Sequence, residues 1–320
     1  MIGTLQGGSA DTQQAEREAQ QVQANRAELV ARLGRAAHKE GVAEPLTGVQ
    51  IFHASAPTEL GQGMTPRAFC VIAQGSKEVL LGDACYRYDP AHYFIATASL
   101  PVASRVAEAS PEHPYLNFVL ALDPALVGSV MVEIGHAAPR ANAPVRALDV
   151  SPLDAGLLDA VVRLVRMLDT PADAHFLAPH ITREIVYRLL KGAQGGRLGQ
   201  VSTAGGGHRI AVAVERLRRD FDRPLRIDDL ASDLGMSVSG FYQHFKDVTA
   251  MSPLQFQKQL RLQEARRLLL TEDVDAASAG RRVGYDDTSH FTREYKRLFG
   301  APPLRHAEQM RDGAWASVGI

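Results

Sequence analysis

The sequence predicts an α+β chain of two parts. The first is an N-terminal β-barrel or sandwich with attendant helices. The second is a C-terminal all-α unit with two helix-turn-helix motifs joined by a long helix. Three observations carry this. Between Pro45 and about Val150, short apolar runs are punctuated by Gly, Pro, Asp and Ser, the texture of a small all-β unit. From Leu153 the apolar period lengthens, with Leu153, Leu157, Val161, Leu164 and Leu168 at helical spacing. One pattern then occurs twice, as LASDLGMSVSGFYQHFKDVTAMSPLQF from Leu230 and as SAGRRVGYDDTSHFTREYKRLFGAPPL from Ser278.

Taken in order, residues 1–11 are rich in Gly, Ser and Asp and are expected to be disordered. Residues 12–39 read as a helix, with Leu29, Leu33 and Ala36 or Ala37 on one face and Gly41 as its stop. Together they form an N-terminal segment, 1–44. The barrel, 45–150, draws its strands from runs such as AFCVIAQG, KEVLLG, YFIATASL, YLNFVLAL and GSVMVEIG. SPLD, 151–154, reads as an N-cap and first turn. A second helix, roughly 178–191, carries Ile181, Ile185, Val186 and Leu189, and the two fill a helical segment, 151–192. GAQGGRLGQVSTAGGG, residues 192–207, is Gly- and Ser-rich and marks a linker and domain boundary, with the linker taken as 193–207. Residues 208–310 form the compact helical unit, and 311–320 a tail.

The composition is that of a soluble protein: 320 residues, 45% hydrophobic and 22% charged, with a net charge of −1. No apolar run is long enough for a membrane span. The N-terminus lacks a basic start followed by an apolar stretch, so a cytoplasmic protein is expected. Two cysteines, Cys70 and Cys85, are too few for a disulfide framework. From His208 onward 18 Lys+Arg face 16 Asp+Glu, so any nucleic-acid surface there depends on clustering of positive groups rather than on their number.

The duplicated pattern has a fixed internal spacing. Gly235 and Gly284 are 49 residues apart; Phe245 and Tyr295, Lys246 and Lys296, and Pro253 and Pro303 are each 50 apart. In each copy a short helix ends at the glycine, where positive φ costs least. A polar N-cap, Ser237 or Ser239 in the first copy and Asp287 or Thr288 in the second, opens the next helix. Phe241 and Phe245, like Phe291 and Tyr295, stand four apart and pack inward. Ser239, Gly240, Tyr242 and Gln243 point elsewhere, as do Ser289, His290, Thr292 and Arg293. These are short or hydrogen-bonding groups able to reach base edges in a major groove. The connecting helix, about Ser252 to Leu270, spans roughly 27 Å at 1.5 Å per residue. One turn of DNA is about 34 Å, so two readers so joined are expected to bend the duplex somewhat, at a cost of order 1–6 kcal/mol.

The barrel carries no catalytic signature: no G-x-S-x-G, no Gly-rich phosphate loop and no paired-histidine metal motif. Its histidines, His53, His92, His113 and His136, are scattered, and neither a metal nor a cofactor is expected. Cys70 reads as a buried structural thiol and Cys85 as a more accessible one. Two thiols on adjacent strands would be able to sense electrophiles or oxidants. Arg67, Lys77, Arg87 and Arg105 are able to make the interior anion-seeking or to lie solvated at the rim. The candidates for contacting a small molecule are Cys70, Cys85, Arg67 and Arg87.

The double motif, the helix RLQEARRLLL and above all VGYDDTSHFTREYKRLFGAPP resemble the DNA-binding domain of the AraC/XylS transcription regulators. AQGSKEVLLG, YDPAHYFIATASLPV and ASPEHPYLNFVLALDP resemble the effector domain of one subgroup, which has a cupin-like barrel. The resemblance spans about residues 45–310. It implies a regulator of transcription, tending to activation, controlled by a small molecule in the barrel. Its partners would be double-stranded promoter DNA, RNA polymerase and a second copy of the chain, the latter through the helices of 151–192. It places Ser239, Tyr242 and Gln243 in one major groove and Ser289, His290, Thr292 and Arg293 in the next. Arg293 is the favoured base contact, although an ion pair with Asp287 or Glu294 is its alternative. Ser237, Lys246, Arg281, Arg282 and Lys296 are the phosphate candidates. An enzyme or repair protein with a DNA-binding appendage, or a constitutive DNA-bending protein without a ligand, remain the rival readings. One departure stands out: Ala276, Ala279 and Gly280 occupy inward positions where the family carries larger aliphatics, so a looser second half is expected.

Overall fold

The structure, a computed structural model, describes residues 7–37, 39–135, 145–202 and 206–311. His136, the start of the expected N-terminal tail, residues 203–205 of the expected linker and residues 312–320 lie outside the described residues. In chain order the elements are α1 (Gly7–Ala36), β1 (Gly41–Leu46), β2 (Val49–Ala54), β3 (Gly61–Thr65), β4 (Ala68–Gln74), β5 (Ser76–Leu81), β6 (Ala84–Tyr88), β7 (His92–Ala96), β8 (Leu100–Glu108) and β9 (Tyr115–Ala121). There follow α2 (Pro124–Glu133), β10 (Leu148–Pro152), α3 (Ala155–Arg166), α4 (Pro171–Lys191), α5 (Gly195–Ser202) and α6 (Gly206–Arg219). The C-terminal helices are α7 (Ile227–Asp233), α8 (Val238–Thr249), α9 (Pro253–Thr271), α10 (Ala276–Arg282), α11 (Thr288–Phe299) and α12 (Pro303–Arg311).

The strands form two antiparallel sheets, one ordered β1-β2-β9-β4-β7-β10 and the other β3-β8-β5-β6. The larger sheet is buried on both faces, which is why β4 reads as an unbroken apolar run. Ala68, Cys70 and Ile72 turn between the sheets, while Phe69, Val71 and Ala73 turn outward beneath the helices. That outer face is roofed by α1 through Leu29 and Leu33, by α2, and by α3 and α4. The smaller sheet shows its outer face to solvent, so β5 and β8 alternate: Val79 and Leu81 face inward, and Glu78 pairs outside with Arg105 at 2.7 Å.

Several boundaries differ from the sequence reading. GSVMVEIG is not a strand. It forms the later turns of α2 and the residues just after it; at the start of that helix the Asp123 side chain accepts from the Ala125 N–H at 2.9 Å and Pro124 occupies the first turn. Val127, Val130 and Met131 then share the buried face; a short apolar run does not distinguish helix from strand by itself. Ser151 and Pro152 close β10 rather than open a helix, and Asp154 is the cap of α3, accepting from Leu157 N at 2.8 Å. Helix α4 begins at Pro171, seven residues early, and runs through Pro179. Helix α1 begins at Gly7, within the stretch expected to be disordered.

The expected linker is also mostly structured. Residues Gly195–Ser202 form α5 and bury Leu198 against the outer core of the barrel. The buried Gln194 amide donates to Ser151 Oγ at 2.5 Å and to Asp149 at 3.0 Å, and Arg197 pairs with Asp149. Glycine content alone pointed to a flexible tether; these anchors hold the segment to the barrel.

Candidate nucleic-acid interface and barrel interior

In the first motif Gly235 ends the α7 turn at φ 61°, and Ser237 caps α8 by accepting from Gly240 N at 3.2 Å. Phe241 and Phe245 are fully buried, with their rings 5.6 Å apart, and Phe245 meets Phe256 of α9 edge-on at 5.4 Å. This anchoring leaves Ser239, Gln243 and Lys246 exposed and Tyr242 half-buried. Gln243 donates to Asp247 one turn on, at 2.9 Å. Gln243 and Lys246 also line a cleft of about 540 Å³ together with Asp83 and Arg146 of the barrel domain.

The second motif repeats the arrangement. Gly284 has φ 85°, and a Cβ there would stand 2.1 Å from the Asp222 carbonyl, so only glycine fits. Asp287 caps α11 through the N–H groups of Ser289 and His290. Phe291 and Tyr295 are fully buried. Ser289, His290, Arg293, Lys296 and Arg297 are exposed on the opposite side, and Thr292 is half-buried. The alternative of an ion pair for Arg293 is not taken up. Asp287 is engaged as the cap, and Glu294 is held by Lys258 and Arg297, both at 2.8 Å. Of the phosphate candidates, Arg281 donates to Ser278 Oγ at 3.0 Å, and Arg282 pairs with Glu272. The small side chains of α10 do not leave a gap: the Phe291 ring lies against Gly280, 3.0 Å from where a Cβ would be.

Helix α9 joins the motifs, and at 19 residues it is about 28 Å long. Ser252 and Gln255 close a reciprocal capping box at its start. Phe256 and Leu260 enter a core shared by α6, α7 and α8, while Leu262, Ala265, Leu268 and Leu269 enter a separate core with α10, α11 and α12.

The first of these cores does not stop at the helices. It runs without a break into the barrel interior, from Phe245, Val248 and Met251 to Leu81, Ala147 and Phe94. Ala147 N donates to the Val248 carbonyl at 3.1 Å, across the joint. Arg67 bridges the same joint, donating to the Thr97 carbonyl at 3.0 Å and to Glu215 of α6 at 3.3 Å. On the far side Arg266 of α9 donates to the Gln62 carbonyl of β3 at 2.5 Å and stacks on Phe299. A cleft of about 880 Å³ opens there between the β3 edge and the ends of α11 and α12.

Four residues were candidates for contacting a small molecule, and they do not meet. Cys70 faces the interior from the larger sheet, and burial pushes its thiol up to about 12. Cys85 is exposed on the smaller sheet, so the two thiols are not on adjacent strands. Arg67 sits at the domain joint. Arg87 lies outside the smaller sheet, paired with Glu108 at 2.7 Å. Arg105 is outside as well, but Lys77 is inside: 6% exposed, its ammonium 5.8 Å over the Phe52 ring. His53, His92 and His113 lie on β2, on β7 and in the turn after β8, with His92 held to Asp89 at 2.7 Å. Reading by type alone missed Tyr115 and Asn117, whose inward placement was legible in the alternation of YLNFVLAL, where 115, 117 and 119 share a face.

Residues 45–197 match the family profile described as the AraC-type transcriptional regulator N-terminus, and residues 230–309 match a helix-turn-helix domain. Among curated proteins, the MmsAB operon regulatory protein of Pseudomonas aeruginosa is 29% identical over 97 residues, 30% of this chain and 32% of that protein. The transcriptional regulator ArgR of the same organism is 26% identical over 140 residues, 43% of each. The transcriptional activator RhaS of Escherichia coli is 26% identical over 158 residues, 49% of this chain and 56% of that protein. The matched region thus spans about a third to just over half of these relatives' length. Among solved structures, ToxT of Vibrio cholerae bound to an unsaturated fatty acid superposes over 85% of this chain and 96% of its own, with a TM-score of 0.56 and 11% identity. That likeness is one of fold.

Proposed function

Because this chain belongs to the AraC-type transcriptional regulators, we propose that it is a sequence-specific DNA-binding regulator whose activity follows a small molecule held in its N-terminal domain. The observation that carries the reading is the pair of exposed polar helix faces on α8 and α11, each set by buried aromatics and joined by one rigid helix. In this reading α8 presents Ser239, Tyr242 and Gln243 to one major groove, and α11 presents Ser289, His290, Thr292 and Arg293 to the next. Ser237, Lys246, Lys296 and, once released from their present partners, Arg281 and Arg282 neutralise phosphates. The exposed, uncommitted guanidinium of Arg293 is the strongest base reader, since Arg forks onto guanine O6 and N7.

The chain works in the cytoplasm as a homodimer, with α3 and α4 supplying the contact, and it activates by recruiting RNA polymerase. The exposed Phe176 and Tyr187 of α4 support such a contact. The test is DNA binding by the purified protein to fragments from its own genomic neighbourhood, across a salt series. Selective binding that weakens by about 1–3 kcal/mol in Arg293→Ala is the expected result. Binding no tighter than to random DNA, with and without cell extract, would overturn the reading.

A further inference from the structure

Buried polar groups in folded proteins normally hold hydrogen-bond partners, because a buried donor or acceptor left unmet costs its full desolvation penalty. The barrel interior departs from this at two neighbouring positions on one face of β9. The Tyr115 hydroxyl and Asn117 Oδ1 belong to side chains only 2% exposed, and neither has a hydrogen-bond partner among the described residues. Burial holds the Tyr115 phenol well above its ordinary range, the Cys70 thiol adds to this and the Tyr88 phenol works against it, yet the Tyr115 hydroxyl makes no bond of ordinary geometry.

A cation stands beside them. Asn117 is the cross-strand partner of Phe52, and the Lys77 ammonium lies over that ring. Lys77 is in turn the cross-strand partner of Tyr88, which stacks on Phe94 with ring centroids 5.1 Å apart. Strands from both sheets therefore bring an ammonium, phenols and an amide oxygen to one spot with aromatic walls. Burial lowers the Lys77 ammonium to about 8, so it still carries its proton at neutral pH.

From this arrangement we infer that the barrel interior is a binding site for a small organic acid, with a carboxylate accepting from Lys77 and Tyr115 and an adjacent hydroxyl or N–H donating to Asn117 Oδ1. The inference rests on the reading of the chain as effector-controlled, and it adds the residues and the chemical class. A carboxylate is favoured over a neutral ligand because its attraction to an ammonium grows as water is excluded. Phe52 and Phe94 supply surface for an apolar body. The same core continues into α8, so a ligand seated there packs within reach of the first DNA reader.

The test uses the full-length protein and thermal unfolding with lactate, 3-hydroxybutyrate and phenyllactate as probes, each beside its primary amide. At least one hydroxy acid is expected to raise the midpoint by a few degrees, its amide is not, and Lys77→Met abolishes the shift. Tyr115→Phe and Asn117→Leu each weaken the apparent affinity at least tenfold. Without ligand these two variants hold or raise the wild-type midpoint, since each removes an unmet polar group. Three results overturn the assignment: no shift with any acid, equal shifts with acid and amide, or a lowered midpoint in ligand-free Tyr115→Phe. DNA binding measured in parallel separates the two readings, because a selective complex that survives those results leaves the regulator standing without this site.

Discussion

Arg166 and Arg32 grip Glu28 from two sides, at 2.7 Å each, and tie α1 to α3. These bonds hold the Glu28 carboxyl well below its ordinary 4.5, at about 2. A carboxylate lowered on folding contributes stability that is present above pH 4.5 and lost as pH falls toward 2. Glu28→Gln is therefore expected to lower the unfolding midpoint at pH 6 and to flatten its decline in acid. Solvent reaches the pair, so the effect is about 1 kcal/mol or less. A midpoint-against-pH series for the two proteins checks this. At Gly280 two effects oppose. Alanine is the better helix former by about 1 kcal/mol, but its Cβ would press on the Phe291 ring at 3.0 Å. Overpacking of this kind costs about 1–3 kcal/mol, so Gly280→Ala is expected to destabilise, as urea denaturation would show.

At the scale of the element, α9 belongs to two cores. Leu268→Ala is expected to cost about 2–5 kcal/mol and to raise hydrogen exchange in α10, α11 and α12 while sparing the barrel. Phe245→Ala, at about 3–5 kcal/mol, should loosen the barrel's inner strands as well, because its core is theirs. Hydrogen exchange by mass spectrometry reads both patterns; confinement of the Phe245 effect to the helices would contradict the shared core. The helical half was legible in the sequence because its signals are local: a cap, a glycine turn and aromatics four apart. The barrel half was legible as texture only. Helix α2 looked like a strand because its apolar run is short. Helix α5 looked like a tether because the bonds of Gln194 and Arg197 that hold it reach back more than forty residues. The inferred interior site was half legible: Lys77 was named with Arg67, Arg87 and Arg105 as a cation able to make the interior anion-seeking, but it was not among the four candidates, and only the strand register separates inside from outside.

At the scale of the molecule, the two helix-turn-helix units are not held alike. The first shares its core with the barrel, whereas the second has its own core and touches the barrel through the Arg266 bond to Gln62 and the cleft around it. Arg67→Ala removes the bridge between Thr97 and Glu215 and leaves a carbonyl unmet, a loss of about 1–3 kcal/mol. Calorimetry should then resolve two unfolding transitions, with barrel and helices less tightly coupled than in the wild type; one unchanged cooperative peak would show that the bridge is dispensable.

The joint also bears on how such chains exchange parts. The obvious place to cut and recombine two of them is the glycine-rich stretch before α6. A graft made there carries α8 with Val248 and Met251 away from the Leu81 and Ala147 surface that fits them, and takes Ala250 from the Gly82 turn, where a Cβ on the glycine would stand 3.0 Å from that of the alanine. Only chains that match at this seam recombine without a repacked interface. The second helix-turn-helix unit faces a much smaller match, so a graft of α10 to α12 is expected to disturb the barrel less than one of α7 and α8.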